Sequence, residues 1–216
     1  THTFSFLGSF DEKHNPGHWW IFTIAMVFWG ISNIPVVLYL YRRFATLSTW
    51  GALIGCFLML LGSISIVFVG LFPDARGLAV GQWEYTDIHM KAAPLVAVGF
   101  ILAIPLYGIL LLRDRLTGYS LRTACQFNHR KLMWPYLFWG AIMSVAIYYQ
   151  VTWEFVYADM KAAAQAAGQD IGSHWSAALN TRYSFPLWEN IVIYTLFAFT
   201  VWLALAVPTE LAGEKR

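Results

Sequence analysis

The chain has 216 residues, of which 58% are hydrophobic and 12% charged, too little charge to coat a water-soluble globule. A formal charge of +2 spread over the whole chain supplies no phosphate-binding stripe and excludes a nucleic-acid partner. Two cysteines exclude a disulfide scaffold.

Five stretches free of long charged interruptions predict an all-α fold, a polytopic transmembrane helix bundle forming one domain over residues 1–216. A hydrocarbon core about 30 Å thick needs about 20 helical residues. The first predicted span covers 19–41. Asn15 suits an N-cap and Pro16 the first helical position, so the helix is expected to begin there, with His14 and His18 flanking its start. The second span covers 47–72 and carries the small residues Gly51, Gly55 and Gly62 beside Ser63, a ladder that lets another helix approach closely in lipid. The third covers 89–112; Thr86 is expected to cap it, Asp87 to complement its positive end and His89 to sit about one turn inside.

The fourth span covers 132–156; the outer loop 158–186 is expected to open on an Ala-rich helical continuation of that span, which stops at Gly168. The fifth covers 187–208. Pro35, Pro94 and Pro105 fall within spans and are expected to kink them or to mark a turn. The 11 Trp, 11 Tyr and 16 Phe suit rings held at headgroup level.

With five crossings the connecting segments divide into two sets. One carries nine Lys or Arg against three carboxylates, net +6, and the other five against nine, net −4. The positive-inside rule therefore places Thr1 outside and Arg216 in the cytoplasm of a plasma membrane. A chain that opens on Thr with an exported terminus carries the expectation of an upstream signal or sixth helix.

No span carries a charge at its centre, where insertion costs at least about 2.5–3.5 kcal/mol. That argues against proton pumping and voltage sensing. The deepest polar groups are Ser32, Asn33, Ser144, Gln150, Thr195 and Thr200, read as interhelical hydrogen-bonding groups. The negative set of segments holds five of the six histidines; only His129 falls on the positive side. Because spans one and three start on the same side, His14, His18 and His89 could converge, with Asp74, Asp87, Glu154 or Glu189 completing a site for zinc or another divalent metal. The plainer reading is that these groups cap helices and bond loop carbonyls.

The stretch Ser5-Phe6-Leu7-Gly8-Ser9, then Asn15-Pro16 and an apolar helix, then Gly70-Leu71-Phe72-Pro73-Asp74, and His89 with Ala92-Ala93, resembles the DUF998 family of multi-pass membrane proteins and more distantly the DRAM-type group. The resemblance covers residues 1–112. It implies six spans, one of them before Thr1, and marks Asn15, Pro16, Pro73 and His89 as signature positions. It supplies no reaction, and it implies a connection with lipid organisation and remodelling.

The function expected on these grounds is that of an integral membrane protein without a catalytic motif. It would bind membrane lipid or a partner protein, as an accessory subunit of a membrane complex in one variant, with bound lipid as its companion molecule. Two alternatives are a metal-dependent lipid hydrolase with a His and carboxylate site at the outer face and a small-molecule transporter.

Overall fold

A computed structural model describes residues 17–73, 77–118, 127–168 and 185–207, the side chains of 150, 153, 154, 156–158, 160, 161, 185 and 186 excepted. Five helices carry the described chain: α1 (Trp19–Phe44), α2 (Thr49–Leu71), α3 (Tyr85–Thr117), α4 (His129–Ala166) and α5 (Phe185–Ala206). Each is long and apolar enough to cross a membrane. The protein is an all-α, polytopic bundle and an integral membrane protein. A two-stranded hairpin, β1 (Ala79–Val80) and β2 (Trp83–Glu84), joins α2 to α3.

Successive helices run antiparallel. Gly30 of α1 faces Ser63 and Val67 of α2, and Gly70 of α2 faces Met26 and Thr23 of α1. Gly51, Gly55 and Gly62 of α2 lie against Leu110, Tyr107 and Phe100 of α3 in turn. Gly108 of α3 lies against the Tyr136 ring of α4, and the Tyr149 ring of α4 stacks on Trp188 of α5 at 4.7 Å. The ring of helices closes where Trp29 meets Phe197 edge-on and the Tyr39 hydroxyl donates to the Val207 carbonyl at 3.3 Å. One end of the bundle bears the hairpin; the other bears Arg42, Arg43, Arg113 and Arg115.

The α2–α3 approach is as close as that of α1 to α2, and glycine permits both. A Cβ on Gly99 would stand 2.6 Å from the Leu58 carbonyl oxygen and 2.7 Å from the Gly62 nitrogen, so the two backbones touch. In lipid such contact replaces the hydrophobic drive that water supplies elsewhere. Asn33 adds a polar tie between α1 and α2, its Nδ2 donating to Ser63 Oγ at 2.8 Å while that hydroxyl donates to the Met59 carbonyl at 2.7 Å.

Of the other expected interhelical groups, Ser32, Ser144 and Thr200 bond back to their own helices, at the carbonyls of Trp29, Gly140 and Leu196. A hydroxyl reaches its own preceding turn more easily than a neighbouring helix. Asn33 has the longer amide and reaches across. The Gln150 side chain lies outside the described residues.

Helix boundaries differ from expectation in four places. α1 begins at Trp19, with His18 as N-cap and no side-chain cap bond, because Gly17 and His18 form a turn and glycine is a poor helix residue. Asn15 and Pro16 lie outside the described residues. α3 begins at Tyr85 rather than behind a Thr86 cap, because the hairpin leads straight into it, with Tyr85 N–H donating to the Leu78 carbonyl at 2.9 Å. α1 and α3 also run past their apolar runs, to Phe44 and Thr117, which places Arg43 and Asp114 inside helices instead of loops. Pro35, Pro94, Pro105 and Pro135 sit within continuous helices. α4 does continue to Ala166 and ends before Gly168 at φ +60°.

Candidate functional site

Two polar constellations emerge, one at each end of the bundle. At the hairpin end the chain turns through Gly81 and Gln82, with Ala79 opposite Glu84 and Val80 opposite Trp83. Gly81 takes φ +62° and no described non-glycine residue has positive φ, the pattern of a two-residue type II′ turn, whose twist matches that of paired strands. The hairpin holds Trp83 over the first turns of α3. There the Lys91 ammonium lies 3.7 Å from the centre of the Trp83 ring, a cation–π contact.

Beneath this lid a groove of about 470 Å³ opens between α2 and α3. Its α2 wall is Leu61, Ile64, Ser65 and Phe68, with Phe72 beyond; its α3 wall is Ile88, Lys91, Ala92 and Leu95. Both walls follow the i, i+3, i+4, i+7 spacing of a single helix face. Leu61 to Phe72 spans about 16 Å at 1.5 Å per residue, close to half of the roughly 30 Å hydrocarbon core. Lys91 is the last charged residue before the uncharged run of α3, so the groove is apolar along its length and cationic at its mouth.

His89 closes the inner side of this end. It is 3% exposed, and its Nδ1 is 3.0 Å from the carbonyl oxygen of Phe72, the C-cap residue of α2. A carbonyl only accepts, so Nδ1 is the donor. The bond satisfies one of the carbonyls that every helix end leaves without an intrahelical donor. His89 thus anchors the exit of α2 to the entry of α3.

Of the expected metal ligands, His14 lies outside the described residues, His18 is exposed at the start of α1, and His89 is turned onto Phe72. Among the described residues no three His, Cys, Asp or Glu side chains gather closely enough to hold a metal ion. Pro73 is buried beside the Phe72 carbonyl; Asp74 lies outside the described residues, as does the Glu154 side chain, and Asp87 is exposed in the first turn of α3. Cys56 is a buried thiol within α2, and Cys125 lies outside the described residues.

At the arginine end, Asp114 is 2% exposed and its Oδ2 lies 2.9 Å from His129 Nε2. Arg43 is 5% exposed, its guanidinium 5.0 Å from the centre of the Tyr39 ring. Phe44, next to Arg43 in the chain, packs its ring 4.3 Å from the Tyr107 ring and 5.4 Å from the Phe127 ring. Sequence reasoning counted Arg43, Asp114 and His129 only as loop charges. Their signal was spacing: Asp114 continues the buried stripe Phe100, Ala103, Ile104, Tyr107, Leu110 and Leu111, and Arg43 continues Met26, Gly30, Asn33, Val37 and Leu40. Phe44 packs α1 on α3 and the Asp114–His129 pair joins α3 to α4; none of these groups lines the groove.

Compared with protein-family models, with curated proteins and with solved structures, the chain matches none. The functional reading therefore rests on the geometry of the two ends.

Proposed function

We propose that this integral membrane protein binds a membrane lipid, one acyl chain lying in the groove between α2 and α3. The observation that carries the reading is the groove itself: two apolar helix faces, spaced to leave about 470 Å³, on helices long and apolar enough to span a bilayer. Within hydrocarbon such a cleft is filled by the surrounding solvent, which is lipid tails. Its extent along α2 suits the chain of one leaflet. Trp83 covers the mouth as an amphipathic ring does at headgroup level.

The charge asymmetry of the connecting segments, +6 against −4, supports a plasma-membrane orientation with the hairpin outside. On this reading the bound lipid belongs to the outer leaflet. The glycine contacts between α2 and α3 then hold the walls of the groove at fixed separation, and the Asp114–His129 pair joins α3 to α4 at the other end.

The test is native mass spectrometry of the detergent-purified, delipidated chain with added dioleoyl phosphatidylcholine. One lipid is expected to remain bound at low activation energy. Ile64→Trp, at an exposed groove position, fills the cleft and is expected to remove that adduct, while Leu205→Trp, exposed on α5, leaves it. Equal retention by all three proteins would refute the groove as the site.

A further inference from the structure

The chemistry at the mouth of the groove selects among lipids. Lys91 is exposed, and its ammonium rests on the Trp83 ring, with no carboxylate partner among the described residues. Asp87 lies four residues before it on the same helix face, with about 5–6 Å expected between such Cβ atoms. Glu84 adjoins Trp83, is exposed, and is the N-cap residue of α3, yet its side chain makes no cap bond. Lys91 lies at the groove, while Asp87 and Glu84 lie four and seven residues nearer the start of α3, about 6 and 10 Å farther toward water at 1.5 Å per residue, so the order along the helix is positive next to the apolar wall and negative beyond it.

That order is the reverse of a zwitterionic phospholipid headgroup, whose phosphate lies next to the acyl chains and whose ammonium lies outward. We infer that the groove takes a zwitterionic phospholipid, with its phosphate on Lys91 and its cationic tip at Glu84 and Asp87. This inference rests on the lipid reading of the groove and adds the class of headgroup. A net-anionic headgroup gains the same lysine but meets two like charges, at the end where the connecting segments carry nine carboxylates against five cations. Like charges so placed are unfavourable even when partly screened. A diacylglycerol fills the groove and gains neither contact.

The experiment compares phosphatidylcholine, phosphatidylglycerol and diacylglycerol with identical oleoyl chains on the full, delipidated chain, by competitive native mass spectrometry. Phosphatidylcholine is expected to bind about tenfold more tightly than either competitor, which corresponds to about 1.4 kcal/mol. Lys91→Gln is expected to narrow the lead of phosphatidylcholine over diacylglycerol, since the phosphate loses its partner. Glu84→Gln with Asp87→Asn is expected to bring phosphatidylglycerol up to phosphatidylcholine. Equal binding of the two phospholipids to the unmodified protein overturns the headgroup assignment, as does a Lys91→Gln protein whose preference over diacylglycerol is undiminished. In both cases an Ile64→Trp protein that loses all three lipids leaves the groove reading standing. Binding of all three lipids that survives Ile64→Trp refutes both.

Discussion

His129 Nε2 stands 2.9 Å from Asp114 Oδ2, joining the first residue of α4 to the last turn of α3 across a segment that begins and ends at the arginine end. Asp114 is buried and His129 about a quarter exposed, so the bond is worth more than a surface ion pair and less than one sealed from water. His129→Ala is expected to destabilise the bundle by about 1–3 kcal/mol, measured by unfolding in an SDS titration. Asp114→Asn is expected to act in the same direction. The double variant should cost less than the sum of the two, since both remove one interaction. Strict additivity would show that the pair is not coupled.

Glycine positions on α3 and α4 should respond in opposite ways to the same added methyl. Gly99→Ala drives a Cβ into the backbone of α2, 2.6 Å from the Leu58 oxygen, and backbone cannot turn aside as a side chain can. A loss of about 1–3 kcal/mol or more is expected. Gly140 on α4 has nothing within 4 Å of the same added atom. Gly140→Ala should be neutral or stabilise by up to about 1 kcal/mol, through helix propensity. The contrast is read by SDS unfolding of the two variants side by side; equal effects would contradict the packing described.

His89→Ala would strip the Phe72 carbonyl of its donor in a place that water does not reach freely. The expected cost is about 1–3 kcal/mol, and it should be local. Hydrogen exchange is expected to rise at the end of α2 and in the hairpin between Leu78 and Tyr85, while the centre of α2 stays protected. His89→Asn, which keeps a shorter donor, should recover part of the protection. Unchanged exchange in the hairpin of His89→Ala would deny the histidine its anchoring role.

Sidedness has its own measurement. In intact cells, a membrane-impermeant thiol reagent is expected to label a cysteine introduced by Gly172→Cys in a Cys56→Ser, Cys125→Ser background, and to miss native Cys125. Both positions lie outside the described residues and fall in the segments assigned by charge to opposite sides. The inverse pattern would place the hairpin in the cytoplasm.

How much of this could be read from the chain is clearest residue by residue. The stripe Gly51, Gly55 and Gly62 is visible in the sequence as small residues on one side of an apolar helix; what fills it, the rings of Tyr107 and Phe100, is not. Thr86 reads as a cap because Thr favours caps, yet its hydroxyl is buried within α3 without a partner among the described residues. The hairpin outweighed that local preference, since strand pairing at Ala79 and Glu84 sets where the helix begins. Asp114 reads as a loop charge when counted by composition and as a buried group when counted by helical period.

The sequence by itself determined that the chain is a set of membrane-spanning helices, because an unbroken apolar run of helical length has no stable place in water and satisfies its backbone internally in lipid. It also determined which helix faces could approach closely, since only small side chains permit that. Tertiary structure alone decided that Ile64 and Phe68 face Ile88 and Leu95 across a groove, that Trp83 lies on Lys91, and that Asp114 meets His129. Each of these depends on the rotation and register of one helix against another. Those are fixed by the sum of many weak packing contacts across the bundle, which no local stretch of sequence encodes.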